Sequence, residues 1–150
     1  MGTSFVEIGE KGFWMEDRIL ELWLRLLALH IEDPDEASVA QRIRDNWLLA
    51  SRGYFVGHVP TRLEEAVSTT EGKATVLAAI RSLMEALTNG PELLDHGTVD
   101  LLGFQDVNFN GALESKRLLQ VANAFIALIA GEIQTDASST EFMPGSHIAT

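Results

Sequence analysis

Between Trp14 and Glu32 apolar residues recur too often to fit one face of a surface helix. Wound at about 100° per residue, Asp17, Arg18, Glu21, Arg25 and Glu32 fall on one narrow polar stripe. Leu20, Leu22, Trp23, Leu24, Leu26, Leu27, Leu29 and Ile31 fill the rest of the circumference. A helix on a domain surface needs an apolar arc of only ~100° to cover its core. The excess predicts either the central helix of a bundle or half of a subunit interface.

The pattern that follows is helical and well punctuated. Asp33-Pro34-Asp35-Glu36 offers an N-cap, a proline at the first helical position and an acid at the third. The helix it opens carries Val39, Ala40, Ile43, Trp47 and Ala50 on one face and ends at Gly53. Residues 53–60, rich in glycine, aromatic and β-branched residues, predict a loop. Thr61-Arg62-Leu63-Glu64 is a capping box for a short helix to about Val67, and Ser68-Thr69-Thr70-Glu71 is a second one. The second opens a helix with Val76, Leu77, Ile80, Leu83, Met84 and Leu87 on one arc, stopped at Asn89-Gly90-Pro91.

Residues 91–111 leave three options open: a hairpin over Thr98–Phe109, irregular structure, or a further short helix. A last helix is predicted over Ala112–Ile133, and the polar stretch Gln134–Thr150 reads as a disordered tail. The expected fold is therefore all-α: a single-domain bundle of four to five helices with a small irregular or hairpin insertion near 98–109 and a flexible C-terminal tail. The expected divisions are an N-terminal arm at 1–12, a helical domain at 13–133 and the tail at 134–150.

A domain of 150 residues buries ~68–70% of its unfolded surface, so neither metal nor disulfide is required for folding. The absence of cysteine excludes thiolate zinc sites, cysteine nucleophiles and disulfide staples, and a cytoplasmic location follows as the expectation. The N-terminal run carries no basic region followed by an apolar one, so it is not read as a secretory signal. It begins Met-Gly, but Val6 stands where a myristoylation signal needs Ser or Thr. Arg18, Glu21 and Arg25 interrupt the most apolar stretch, which excludes a membrane span of ~18 residues there. The net charge of −11 opposes contact with phosphate backbones, so neither nucleic acid nor membrane is expected as a partner. The same acidity is either an ordinary solvated surface or a face that complements a basic partner.

Three places could carry chemistry. His30 lies on the apolar face of the first helix, either as a core histidine bonded to a backbone or carboxylate oxygen or as a general base with a pKa lowered by burial. The loop from 52 to 62 gathers Arg52, Tyr54, His58 and Arg62 around two glycines, with Arg42 and Arg44 shortly before it. Guanidinium forks bind carboxylate or phosphate bidentately, and glycine admits a ligand to the backbone. Against a small-anion pocket stands a plainer arrangement: Tyr54, Phe55 and Val56 plug the bundle end while the arginines pair with Asp45, Glu64 and Glu65. The third place, Asp95-His96-Gly97-Thr98-Val99-Asp100, matches no metal-ligand spacing and is ordinary turn chemistry. No cofactor or metal is indicated.

Taken together, these residues predict a non-enzymatic protein-interaction module, one form of which is an inhibitor or immunity-type protein of a basic partner. The alternative is a small-molecule or anion-binding protein or enzyme with its pocket at the 52–62 loop. A homodimer is also expected, because the helices at Trp14–Glu32 and Ala112–Ile133 each offer more apolar surface than one neighbour covers.

Overall fold

The computed structural model describes residues 2–32, 35–53, 58–90, 93–94 and 113–146. Its first element is a hairpin of β1 (Thr3–Ile8) and β2 (Lys11–Glu16), paired antiparallel from Thr3↔Glu16 to Ile8↔Lys11. Two-residue hairpin loops want glycine at a positive-φ position, and Gly9, at φ 64, is the first residue of this one. Ser4 and Val6 on β1 and Phe13 and Met15 on β2 alternate inward as paired neighbours. Phe5 and Trp14 pair on the other face with ring centroids 5.3 Å apart. An isolated two-stranded hairpin is marginal in water. This one is anchored by burial of Val6, Phe13 and Met15, each contributing ~1.5–3 kcal/mol.

The hairpin overturns the all-α expectation. The chain is an α+β mixture, with five helices and two short antiparallel strand pairs among the described residues. The expected helix from Trp14 begins instead at Asp17, because Trp14, Met15 and Glu16 complete β2.

Helix α1 (Asp17–Leu29) has the central place its circumference requires. It packs against β2, α2 (Val39–Ala50) and α4 (Thr70–Asn89), and both Trp23 and Leu27 are fully buried. The N-cap of α2, Ser38, lies five residues after the expected Asp33. Ser38 accepts from the Gln41 amide at 3.1 Å, and the Gln41 side chain accepts in return from the Ala37 N–H. Between α2 and α4 lies the single turn α3 (Leu63–Ala66), and Thr69 caps α4 by accepting from the Gly72 amide. Strands β3 (Leu93–Leu94) and β4 (Leu113–Glu114) then pair, leading into α5 (Ser115–Ile129). The stretch 98–109, left open between hairpin, irregular structure and a short helix, and the turn at 95–100 lie outside the described residues.

One continuous core joins these elements. Phe125 of α5 meets Phe13 of β2 at 5.7 Å and Trp23 of α1 at 5.5 Å between ring centroids. The segment 134–146, expected as a tail, has no helix or strand but is tied to the domain. Thr135 exchanges two hydrogen bonds with Gly12, Trp14 Nε1 donates to Ala137 O, and Arg117 Nε donates to Gly145 O. Among the described residues most of the apolar surface of α1 and α5 is covered within one chain, while Leu119, Ile126 and Ile129 of α5 are only partly buried. The large apolar side chains left exposed among the described residues, Leu29, Leu49 and Phe142, come from three different segments.

Candidate functional site

Helix α2 turns Val39, Arg42, Ile43 and Asn46 to the same side, the i, i+3, i+4, i+7 set of one helix face. Opposite stands the segment from Thr61 through α3 to the start of α4. Together they enclose an open cleft of ≈ 570 Å³. Its floor is apolar, formed by Val39, Ile43, Trp47 and Ala66. Arg42, Asp45 and Asn46 line one side, and Arg62, Glu65, Ser68 and Thr69 the other.

One hydrogen bond spans the two walls, and one close approach shapes the second wall. Trp47 Nε1, inside the buried base, donates to Thr61 O at 2.9 Å and ties α2 to the opposite wall. The turn from α3 into α4 is held tight at Gly72, where a Cβ would come within 2.0 Å of the Ala66 carbonyl oxygen. Behind that wall, Ser4 Oγ accepts from the Val59 amide at 2.8 Å and donates to Asp17 Oδ1 at 2.6 Å. The hairpin, α1 and the segment from Val59 into Thr61 therefore share one buried junction at Ser4.

The structure brings together only part of the residue set expected at the 52–62 loop. Arg62 lines the cleft from the head of α3, in a left-handed conformation at φ 49. Its companion is Arg42, not Arg52 or His58. Arg52 is exposed just beyond α2, where the loop turns back towards Glu21 of α1 (a Cβ on Gly53 would lie 3.7 Å from Glu21 Oε2). His58 is exposed beside Val59, and Tyr54 lies outside the described residues. The local pairing with Asp45, Glu64 and Glu65 does not form either: among the described residues no ion pair joins an arginine to any of the three. Glu64 instead accepts from the Gly9 amide at 3.0 Å, closing the hairpin turn over α3.

His30 is not a core residue. It is the C-cap of α1, half-buried, with Nδ1 sharing a hydrogen bond of 2.9 Å with Ser82 Oγ on α4. Burial holds its pKa below the ordinary 6.5. Glu21 moves the other way: burial, with the neighbouring Asp17 charge as the lesser cause, raises its carboxyl above 4.5. Among the described residues no group of three or more His, Asp and Glu side chains is placed to hold a metal. No helix among them is long and apolar enough to cross a membrane.

What sequence reasoning missed is the placement of Arg42 in the same cleft as Arg62. The signal was the spacing of Val39, Arg42, Ile43 and Asn46, but its meaning depends on the wall that α2 faces, and that wall is set by the Trp47–Thr61 bond. No protein-family model matches the chain, and neither a curated protein nor a solved structure shows significant similarity to it.

Proposed function

We propose that this chain is a non-enzymatic protein-interaction module that meets its partner through the α2–α3–α4 cleft. One observation carries the reading: two arginines, Arg42 and Arg62, line a single open cleft from opposite walls together with apolar Val39, Ile43, Trp47 and Ala66. Arginine beside aromatic and aliphatic surface is the composition of interface hot spots. Acid–base catalysis needs a base within hydrogen-bond reach of its nucleophile. Among the described residues the Ser68 hydroxyl instead donates to the Glu65 main-chain carbonyl, and Thr69 Oγ1 accepts from the Gly72 amide. The net charge of −11 adds long-range attraction for a cationic partner, which fits an inhibitor or immunity-type role.

The test is capture from the native cell with tagged wild-type chain and with the double substitution Arg42→Glu, Arg62→Glu. Both side chains are exposed, so the variant should keep its circular dichroism and melting temperature. A partner recovered by wild type and absent from the folded variant supports the reading. The same proteins recovered by both would place the interaction elsewhere.

One observation favours a second reading, a small anion-binding protein: a volume of ≈ 570 Å³ falls within the ~300–1,000 Å³ of small-ligand sites. Co-purification of a metabolite with the wild-type chain, and its loss from the same variant, would decide for it.

A further inference from the structure

We propose that the face of α1 and α5 beneath Pro144 and Gly145 is a docking site for a Pro-Gly β-turn, filled in this structure by the chain's own Met143–Ser146 as a releasable strap. None of its residues lines the α2–α3–α4 cleft, so the site stands apart from the reading above. The Ser146 amide donates to Met143 O at 3.2 Å and closes a four-residue turn. Proline at the second position and glycine at the third, with φ 82, are the make-up of a type II turn. Arg117, Gln120 and Val121 share one side of α5 at i, i+3 and i+4. Arg117 Nε donates to Gly145 O at 2.8 Å, and the Gly145 amide donates to Gln120 Oε1 at 2.9 Å. Both main-chain polar groups of one residue are thus read by side chains of the helix it rests on.

The site selects glycine. A Cβ at position 145 would stand 2.7 Å from Val121 Cγ2 and 2.8 Å from Ile19 Cγ2, two buried β-branched side chains with little rotamer freedom. The positive φ adds strain for any residue that carries a Cβ. Pro144 fixes its own φ, so the turn is largely formed before it docks and little ordering entropy is lost. Release leaves the core in place. Of the residues 134–146, Pro144 and Gly145 alone are buried, and the stretch 136–142 that leads to them is exposed apart from half-buried Ser139. A segment with so few buried contacts opens at a lower free energy than the domain unfolds. The bonds from Thr135 to Gly12 and from Trp14 to Ala137 hold the near end of the strap meanwhile. A partner bearing a Pro-Gly turn gains the face by displacing the strap, which competes at the roughly millimolar effective concentration of a short tether.

The experiment compares amide spectra of the ¹⁵N-labelled full chain and its Gly145→Ala variant. Each is then titrated with acetyl-Glu-Phe-Met-Pro-Gly-Ser-amide and with the same peptide carrying alanine in place of glycine. In the variant, residues 138–146 should move to random-coil positions, with the other shifts concentrated at Phe13, Ile19 and 117–121 and the rest of the spectrum kept. The glycine peptide at millimolar concentration should return 117–121 towards their wild-type positions, and the alanine peptide should not. The wild-type chain should bind the glycine peptide about tenfold or more weakly than the variant does, because its own strap competes. Adding Arg117→Ala to the variant should weaken the glycine peptide about tenfold or more. A wild-type spectrum from Gly145→Ala would show that glycine is not what the site selects. Shifts throughout the core, with the melting temperature of the whole chain falling, would show that the strap is inseparable from the fold. Equal binding of both peptides, or binding of neither at millimolar concentration, also overturns the proposal.

Discussion

Replacing Ser4 with Ala removes one hydroxyl from the junction that supports the far wall of the cleft. Ser4 is 1% exposed, and its Oγ both accepts from the Val59 amide at 2.8 Å and donates to Asp17 Oδ1 at 2.6 Å. Alanine fits the space, so the cost comes from lost hydrogen bonds. The Val59 amide is buried and has no other partner among the described residues, and an orphaned buried donor costs ~1–3 kcal/mol. The Asp17 bond is charge-assisted, but Asp17 is only half-buried, so water replaces much of it. The sum is ~2–3 kcal/mol, or about 4–12 °C in melting temperature for a chain of this size. Urea unfolding followed by circular dichroism measures it, with an unchanged denaturant slope showing that stability alone has moved. A loss below ~0.5 kcal/mol, the range of ordinary surface substitutions, would refute the claim that Ser4 joins the hairpin, α1 and the cleft wall.

Three further outcomes follow from particular side chains. Glu21→Gln should stabilise the chain at pH 7: a carboxyl whose folded pKa is raised above 4.5 loses stability as pH rises through the interval between unfolded and folded values. The difference from wild type should therefore vanish below pH 4.5, and a gain that persists there in urea titrations would contradict it. Arg62→Gly should leave stability unchanged or raise it by up to ~1 kcal/mol, since relief of ~1–2 kcal/mol of left-handed strain offsets ~0.5–1 kcal/mol of added chain entropy. The same variant should lose partner capture, and a stability loss above ~1 kcal/mol would show that the guanidinium supports the fold instead. Sedimentation at micromolar concentration should give a monomer, because among the described residues most of the apolar surface of α1 and α5 is buried within one chain, and a stable dimer would mean that exposed side chains such as Leu29 meet a second copy.

How much of this was legible depends on the range of the forces involved. The burial of α1 and the one-sided face of α4 are periodic over many residues, and the pattern declares them. The hairpin is different. Each strand is six residues long, and Phe13, Trp14 and Met15 suit a helix start as well as β2 until Val6 is seen opposite Phe13. Cap residues compete locally, so Ser38 with Gln41 replaced Asp33, and Thr69 replaced Ser68 by one position. The polar composition of 134–146 concealed backbone bonds to Gly12 and a ring contact between Phe142 and Phe13, all across more than a hundred residues of sequence. At the site, Arg62 stood out as a cation near glycines, whereas Arg42 gained meaning only when a tertiary bond between Trp47 and Thr61 set two walls facing each other.

The claim that the α2–α3–α4 cleft is the contact surface is tested most directly by amide hydrogen exchange of the chain alone and bound to its captured partner. Protection on binding should fall on Val39–Trp47 and Thr61–Thr69, the two walls, with the β1–β2 hairpin and α5 unchanged. Protection confined to the hairpin, to α5 or to the exposed residues Arg52 and His58, with both walls exchanging as in the free chain, would contradict it.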